Sequence, residues 1–307
     1  MITWVLKFRP ADFITIIFSL FLLGLTLFFF NEIPSAGYLV LIYLSIAFFQ
    51  FVLMKLTKSS KFIGIVHDII FPVLSVLIIF DSLGLIVHSI NPHDIDYLLI
   101  RIDYRIFGGY PTVLLERIIN PFLTDILQSA YMTYYFLPVI LGVVLWLKGK
   151  KEEFEKSVFL ILLCFYFSYI GYLLFPALGP RYTILHLQTR ELDGFLVSIP
   201  IQHMLNLLEG IKRDAFPSGH TGVALTVLLL AYRYERTLFR WMAVPVLLVI
   251  FATIYCRYHY VIDVICGVIL TIVTIAAGEV YYQFWLKRTG TIAARKYRNT
   301  ESLGKSL

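Results

Sequence analysis

Two histidines, His220 and His259, each open an apolar run, and the residues around each suit proton transfer or nucleophilic attack. The first lies in Asp214-Ala-Phe-Pro-Ser-Gly-His-Thr-Gly222. Pro217 and Ser218 suit the first turn of a helix, and Gly219 lets an incoming group approach the backbone closely. The exposed N–H groups of such a turn, together with the positive end of the helix dipole, form an anion site. His220 sits in the same turn, placed to donate a proton to a bound group. The plainer reading is a capping sequence with a histidine at an interface. The second segment is Tyr255-Cys-Arg-Tyr-His-Tyr-Val-Ile-Asp263. On one helix, His259 and Asp263 would share a face about 6 Å apart along the axis. A carboxylate so placed accepts from one imidazole nitrogen, fixes the tautomer and raises the basicity of the other nitrogen. The alternative is an isolated, satisfied His–Asp pair. A third segment, Phe175-Pro-Ala-Leu-Gly-Pro-Arg-Tyr182, holds Arg181 on a Gly-Pro turn. An arginine held there grips a phosphate bidentately or, more simply, contacts lipid headgroups. Lys212 and Arg213 precede the serine-histidine turn and read as an anchoring pair that also adds positive potential.

These segments need elements to carry them. Of the 307 residues, 59% are hydrophobic and 15% charged, whereas a soluble domain carries about 25% charged residues. Apolar runs recur that are long enough to cross a hydrocarbon core roughly 30 Å thick. The expectation is an all-α, polytopic transmembrane bundle of about eight spans, near 13–30, 38–54, 68–88, 126–147, 157–175, 218–233, 239–255 and 261–284. No small-residue cleavage site follows the first run, so it reads as a membrane helix and not a removable signal. Eighteen of the 26 Lys and Arg fall on one side of this arrangement and eight on the other. The positive-inside rule then makes both termini cytoplasmic and turns the connections 89–125, 176–217 and 256–260 outward. All three chemistry-bearing segments share that outer face. The formal charge of +6 is explained by orientation, and no nucleic-acid partner is expected. The chain divides into N-terminal helices with an outer amphipathic loop (1–120), a catalytic membrane core (121–286) and a basic cytoplasmic tail (287–307). Residues 90–117 are expected to form amphipathic surface helices that cover the site or sort substrates. Cys164, Cys256 and Cys266 read as small buried apolar residues, and His67, His88, His93, His186 and His203 as interfacial.

Together the segments supply an anion cradle, an acid histidine, a supported nucleophilic histidine and an arginine. That set suits phosphoryl transfer through a covalent phosphohistidine. No acidic cluster suggests a magnesium site, so neither a metal nor a cofactor is expected.

Pro-Ser-Gly-His at 217–220, followed by His259-x-x-x-Asp263, resembles the type 2 phosphatidic acid phosphatase (PAP2) superfamily. This group includes lipid phosphate phosphatases, undecaprenyl-diphosphate phosphatases and the inositol phosphorylceramide synthases. The resemblance covers about residues 120–285 and implies a six-helix core. It implies His259 as nucleophile, Asp263 as its partner, His220 as acid to the leaving group, and Ser218 and Gly219 at the phosphate. Two positions depart from the phosphatase pattern: Leu174 stands where a lysine is usual, and Thr253 where an arginine is usual. Arg257, two residues before His259, is the nearby candidate for a phosphate ligand. The Tyr-x-His-Tyr-x-x-Asp pattern, Gly-Pro-Arg-Tyr and the stretch Tyr131–Pro138 are more similar to the synthase branch. The expected activity is hydrolysis of a lipid phosphate ester at the non-cytoplasmic face of a bacterial inner membrane, with membrane lipids as surroundings. Transfer of the phosphate group to an alcohol is the alternative. A transporter or haem electron carrier, using His220, His259 and the intramembrane Asp81, is the alternative of another class.

Overall fold

The computed structural model describes residues 9–57, 59–208 and 211–304, the side chains at 206–208 and 290–304 excepted. Lys7, Lys58 and the side chains of the tail past 289, all counted above, lie outside the described residues. The described chain is entirely helical, without strands. The main helices are α1 (Pro10–Phe28), α2 (Ala36–Leu56), α3 (Lys61–Ile90), α4 (Asp96–Phe107), α5 (Pro121–Thr133), α6 (Leu137–Leu147), α7 (Lys151–Leu174), α8 (Ser198–Leu208), α9 (Gly219–Tyr234), α10 (Arg236–Tyr255) and α11 (Val261–Gly304).

Six of these, α1, α2, α3, α7, α10 and α11, are long and apolar enough to cross a membrane. The expected fourth span is a pair, α5 and α6, bent by 49° at a short break. The expected sixth, α9, has 16 residues, roughly 24 Å of helix against a core of roughly 30 Å. Every expected span is therefore helical, but two are not straight, full-length crossings. The last helix continues through Lys287, where a separate tail was expected, to Gly304.

Large apolar side chains cover the outside: Phe28, Trp241 and Val280 are each more than 70% exposed. In water such a surface would be an aggregation patch, whereas lipid solvates it. Polar groups inside the helices satisfy themselves locally, as the low dielectric requires. In α1 the hydroxyls of Thr15, Ser19 and Thr26 donate to carbonyls four residues back at 2.8–3.0 Å. Between helices, Tyr43 and Ser82 share a hydrogen bond of 2.8 Å.

α7 is the central column: 61% of its apolar window is buried, against 22–39% in the other five long helices. It packs on α1, α3, α6, α9 and α11. One end of the bundle is closed by ion pairs, Lys150 with Glu235 and both Lys156 and Arg233 with Glu279. Arg9, Asp12, His67 and Asp68 form a further cluster, in which Arg9 Nη1 donates to Asp68 at 2.6 Å. His67 is 3% exposed in this cluster, within the π-helical turn Val66–Ile70 of α3. His88, His93, His186 and His203 are exposed.

Candidate active site

At the opposite end from the Lys150–Glu235 pair, the three segments singled out above are joined by backbone hydrogen bonds. Ala215 N–H donates to the Ala177 carbonyl, Arg181 N–H to that of Arg257, and Ser218 N–H to that of Asp263, at 3.0–3.1 Å. Gly179 makes this closeness possible. Its φ of +88° is open to glycine, and a Cβ there would strike the Tyr258 carbonyl.

Ser218 caps α9, its hydroxyl oxygen accepting from Thr221 N–H at 3.2 Å. Gly219 packs so tightly that a side chain would collide with the Tyr172 hydroxyl. His220 follows, 8% exposed, with its ring between Tyr131 and Tyr134 at centroid distances of 4.7 and 4.4 Å. His220 Nδ1 and His259 Nε2 lie 3.2 Å apart. The two histidines therefore face one another directly.

His259 is 2% exposed. Its Nδ1 lies 2.7 Å from the carbonyl oxygen of Ala215. A carbonyl only accepts, so Nδ1 carries the proton and Nε2 presents its lone pair toward His220. Asp263 was expected in this orienting role. Its Oδ2 is 3.6 Å from Nδ1, too far for a hydrogen bond, and accepts instead from Tyr260 N–H at 2.8 Å. The reason is local: α11 begins at Val261, so His259 precedes the helix and the four-residue helical spacing does not apply. Asp263 is fully buried, and its carboxyl group holds the start of α11 through Tyr260 N–H.

Burial disfavours the charged form of His259, and the nearby Arg181 adds to that effect. Asp214 and the Ala215 carbonyl oppose it, and the balance lowers the pKa to about 4. The ring is neutral at pH 7, as a nucleophile requires. Arg181 lies over the rings of Tyr182 and Tyr258, 4.8 and 5.0 Å from their centroids.

The other two cations expected at the phosphate are engaged elsewhere. Arg213 Nε donates to Asp94 at 2.7 Å. Arg257, 7% exposed, donates through Nη2 to Glu116 Oε1 at 2.8 Å and to the Arg190 carbonyl. Burial opposes charge on Glu116, but bonds from Thr189 and Arg190, with the Arg257 charge, prevail and hold its pKa below the usual carboxylate range. The pair is thus ionised, and it ties the loops around residues 116 and 190 to the site.

Four acidic residues that the sequence reading did not single out shape this end. Asp96 accepts from Leu178 N–H, Gly179 N–H and the Tyr260 hydroxyl at 2.8–2.9 Å. Asp103 accepts from Val261 N–H and Ile262 N–H and so caps α11. Asp214 acts on His259, and Glu116 on Arg257. For the first two a signal existed: Asp96, Leu99 and Asp103 lie on one buried face of α4, and acids sharing a face with leucine need buried partners.

The electron-carrier reading requires His220, His259 and Asp81 to converge on one ligand. Instead the histidines contact each other, and Asp81 is exposed on α3. Among the described residues, no three His, Cys, Asp or Glu side chains are grouped to hold a metal ion.

The family model described as PAP2 superfamily matches residues 98–277, more than half of the chain. A PA-phosphatase related-family protein of Dictyostelium discoideum is 25% identical over 186 residues, covering 54% of this chain. The chain spans about a third of the length of that relative, 34%. No solved structure gives a significant match.

Proposed function

Because the chain belongs to the PAP2 superfamily, we propose that it hydrolyses a lipid phosphate ester at the non-cytoplasmic face of a cell membrane through a phosphohistidine. The observation that carries this is the buried imidazole pair. His259 Nε2 is unprotonated, oriented from behind by Ala215, and 3.2 Å from His220. A phosphate seated against the pair, near Arg181, brings its phosphorus to Nε2. As the P–Nε2 bond forms, the P–O bond to the lipid alcohol breaks, and protonated His220 gives its proton to the leaving oxygen. His220 then takes a proton from water, which attacks phosphorus and frees His259 and phosphate. Arg181 offsets the charge that builds on the phosphoryl oxygens. The reading includes no metal, so turnover is expected to survive chelators.

Transfer to an alcohol uses the same steps, with a lipid hydroxyl replacing water. The burial of both imidazoles favours this second reading, since an acceptor drawn from the bilayer reaches them without crossing water. Phosphate release from a panel of lipid phosphates in detergent, with and without a diacylglycerol or ceramide acceptor, tests both. Free phosphate forming unchanged in the presence of acceptor supports hydrolysis, and its replacement by a new lipid phosphoester supports transfer. Neither product across the panel overturns both.

The acid side of the pH profile follows from His259. The group works unprotonated and is protonated only as pH falls through about 4. The loss of kcat/KM that reports His259 protonation is therefore expected near pH 4. A limb near 6.5, the value of a solvated histidine, would contradict a buried nucleophile. Stability follows the same sign. The unfolded state takes up the proton first, so this histidine's contribution to stability declines as pH drops from about 6.5 toward 4.

A further inference from the structure

Between α3, the bent pair α5–α6 and α7 lies a long, half-open lateral cavity of about 130 Å³. His220 lines one end and Asp68 the other. Along α7 the lining extends from Phe154 to Tyr172, eighteen residues or roughly 27 Å of helix axis. That is close to the whole hydrocarbon core, roughly 30 Å. Between the two ends the described lining residues are apolar or aromatic, among them Val76, Phe80, Val139, Val158 and Leu162.

The cavity touches one histidine and not the other. His220 is among its lining residues, and His259 is not. The ring edge of His220 that turns away from His259 carries Nε2, which is buried without a hydrogen-bond partner. In the reaction above, His220 serves the oxygen of the leaving alcohol, and His259 serves phosphorus. An apolar chamber opening on the leaving-group side fits a leaving group that is itself apolar.

We infer that this cavity holds the hydrocarbon tail of the substrate's alcohol, extended as one long chain along α7 from His220 toward Asp68. The inference rests on the phosphotransfer reading and adds where the lipid lies and which helices select it. One wall, Ile69 to Phe80 on α3, lies before residue 98, where the family match begins. The tail site thereby draws one wall from α3, outside the matched region, and the others from α5–α6 and α7 within it. The Arg9–Asp12–His67–Asp68 cluster bounds the far end, because a hydrocarbon gains nothing by entering an ion-paired site.

Gly142 provides the test. It lines the cavity on α6, and a Cβ there would meet only Phe154 Cε2, at an ordinary contact of 3.6 Å. Leucine fits the helix better than glycine, so Gly142→Leu places apolar bulk in the cavity beside Phe154, with a melting temperature near wild type as the check on the fold. With a long-chain lipid phosphate, KM is expected to rise about 10-fold, in the range that a few methylenes of lost apolar contact produce. With a short-chain ester of the same headgroup, kcat/KM should not change. Equal effects on both esters, or none on either, would overturn the inference. A long-chain lipid phosphate with a photoreactive group at its tail end gives a second measurement that needs no turnover. Label on the peptides of Phe154 and Val158, reduced in Gly142→Leu, supports the assignment. Label confined to lipid-facing positions such as Val244 overturns it. Should His259→Ala retain turnover while the labelling holds, the phosphotransfer reading fails and the tail site stands.

Discussion

His259→Ala is expected to lower the rate of phosphate release by at least ~10³-fold, because no other group replaces a covalent nucleophile held against phosphorus. The fold should survive. The ring contributes one hydrogen bond to the Ala215 carbonyl and one to His220, each worth about 1 kcal/mol. The melting transition in detergent should therefore shift by only a few degrees. The covalent intermediate gives an independent check. Brief incubation with a lipid carrying labelled phosphate, followed by an alkaline quench, should leave label on the wild-type chain and none on His259→Ala. Turnover within tenfold of wild type in that variant would remove His259 from the mechanism. Asp263→Asn is expected to fall well short of the same loss, since Asp263 sits 3.6 Å from the ring and mainly holds the start of α11.

Replacing Asp96 should produce the second-largest effect, although no catalytic step uses it. Its carboxylate gathers Leu178 N–H, Gly179 N–H and the Tyr260 hydroxyl, and so fixes the turn that carries Arg181 against the segment that carries His259. Asp96→Ala leaves two backbone donors in a buried place, at a cost of about 3 kcal/mol. It also releases the arginine turn, and a misplacement of about 1 Å at a reacting centre costs ~10²-fold in rate. We expect both losses together: a lower melting temperature, and kcat/KM reduced ~10²-fold. Asp96→Asn keeps one carbonyl acceptor and should recover part of each. An Asp96→Ala protein with wild-type kinetics would show that Arg181 is positioned by other contacts.

The comparison of these two residues shows what was legible in advance. His259 was found from its neighbours in the chain, because a histidine before an apolar run with an acid four residues on is a local pattern. Its orientation was not. The acid pattern suggested Asp263 as the orienting group, but the helix starts two residues after His259, and the orienting atom is a carbonyl 44 residues away. Asp96 acts on Tyr260 across 164 residues, and Glu116 on Arg257 across 141. No spacing rule reaches that far. The same limit explains Arg213 and Arg257, whose charge suited a phosphate but whose partners, Asp94 and Glu116, come from the segment between α3 and α5.

The apolar runs determined by themselves that this chain is a bundle of membrane helices, since runs of that length and composition have no stable place in water. Local turn chemistry likewise determined where α9 begins, with Ser218 capping and His220 in the first turn. The tertiary structure decided that His220 and His259 touch, which arginine lies near them, and that an apolar chamber opens on one histidine alone. Those outcomes depend on which helices pack together and at what depth. Helix periodicity carries information over a few turns, whereas packing is settled by surfaces that meet only after the chain has folded.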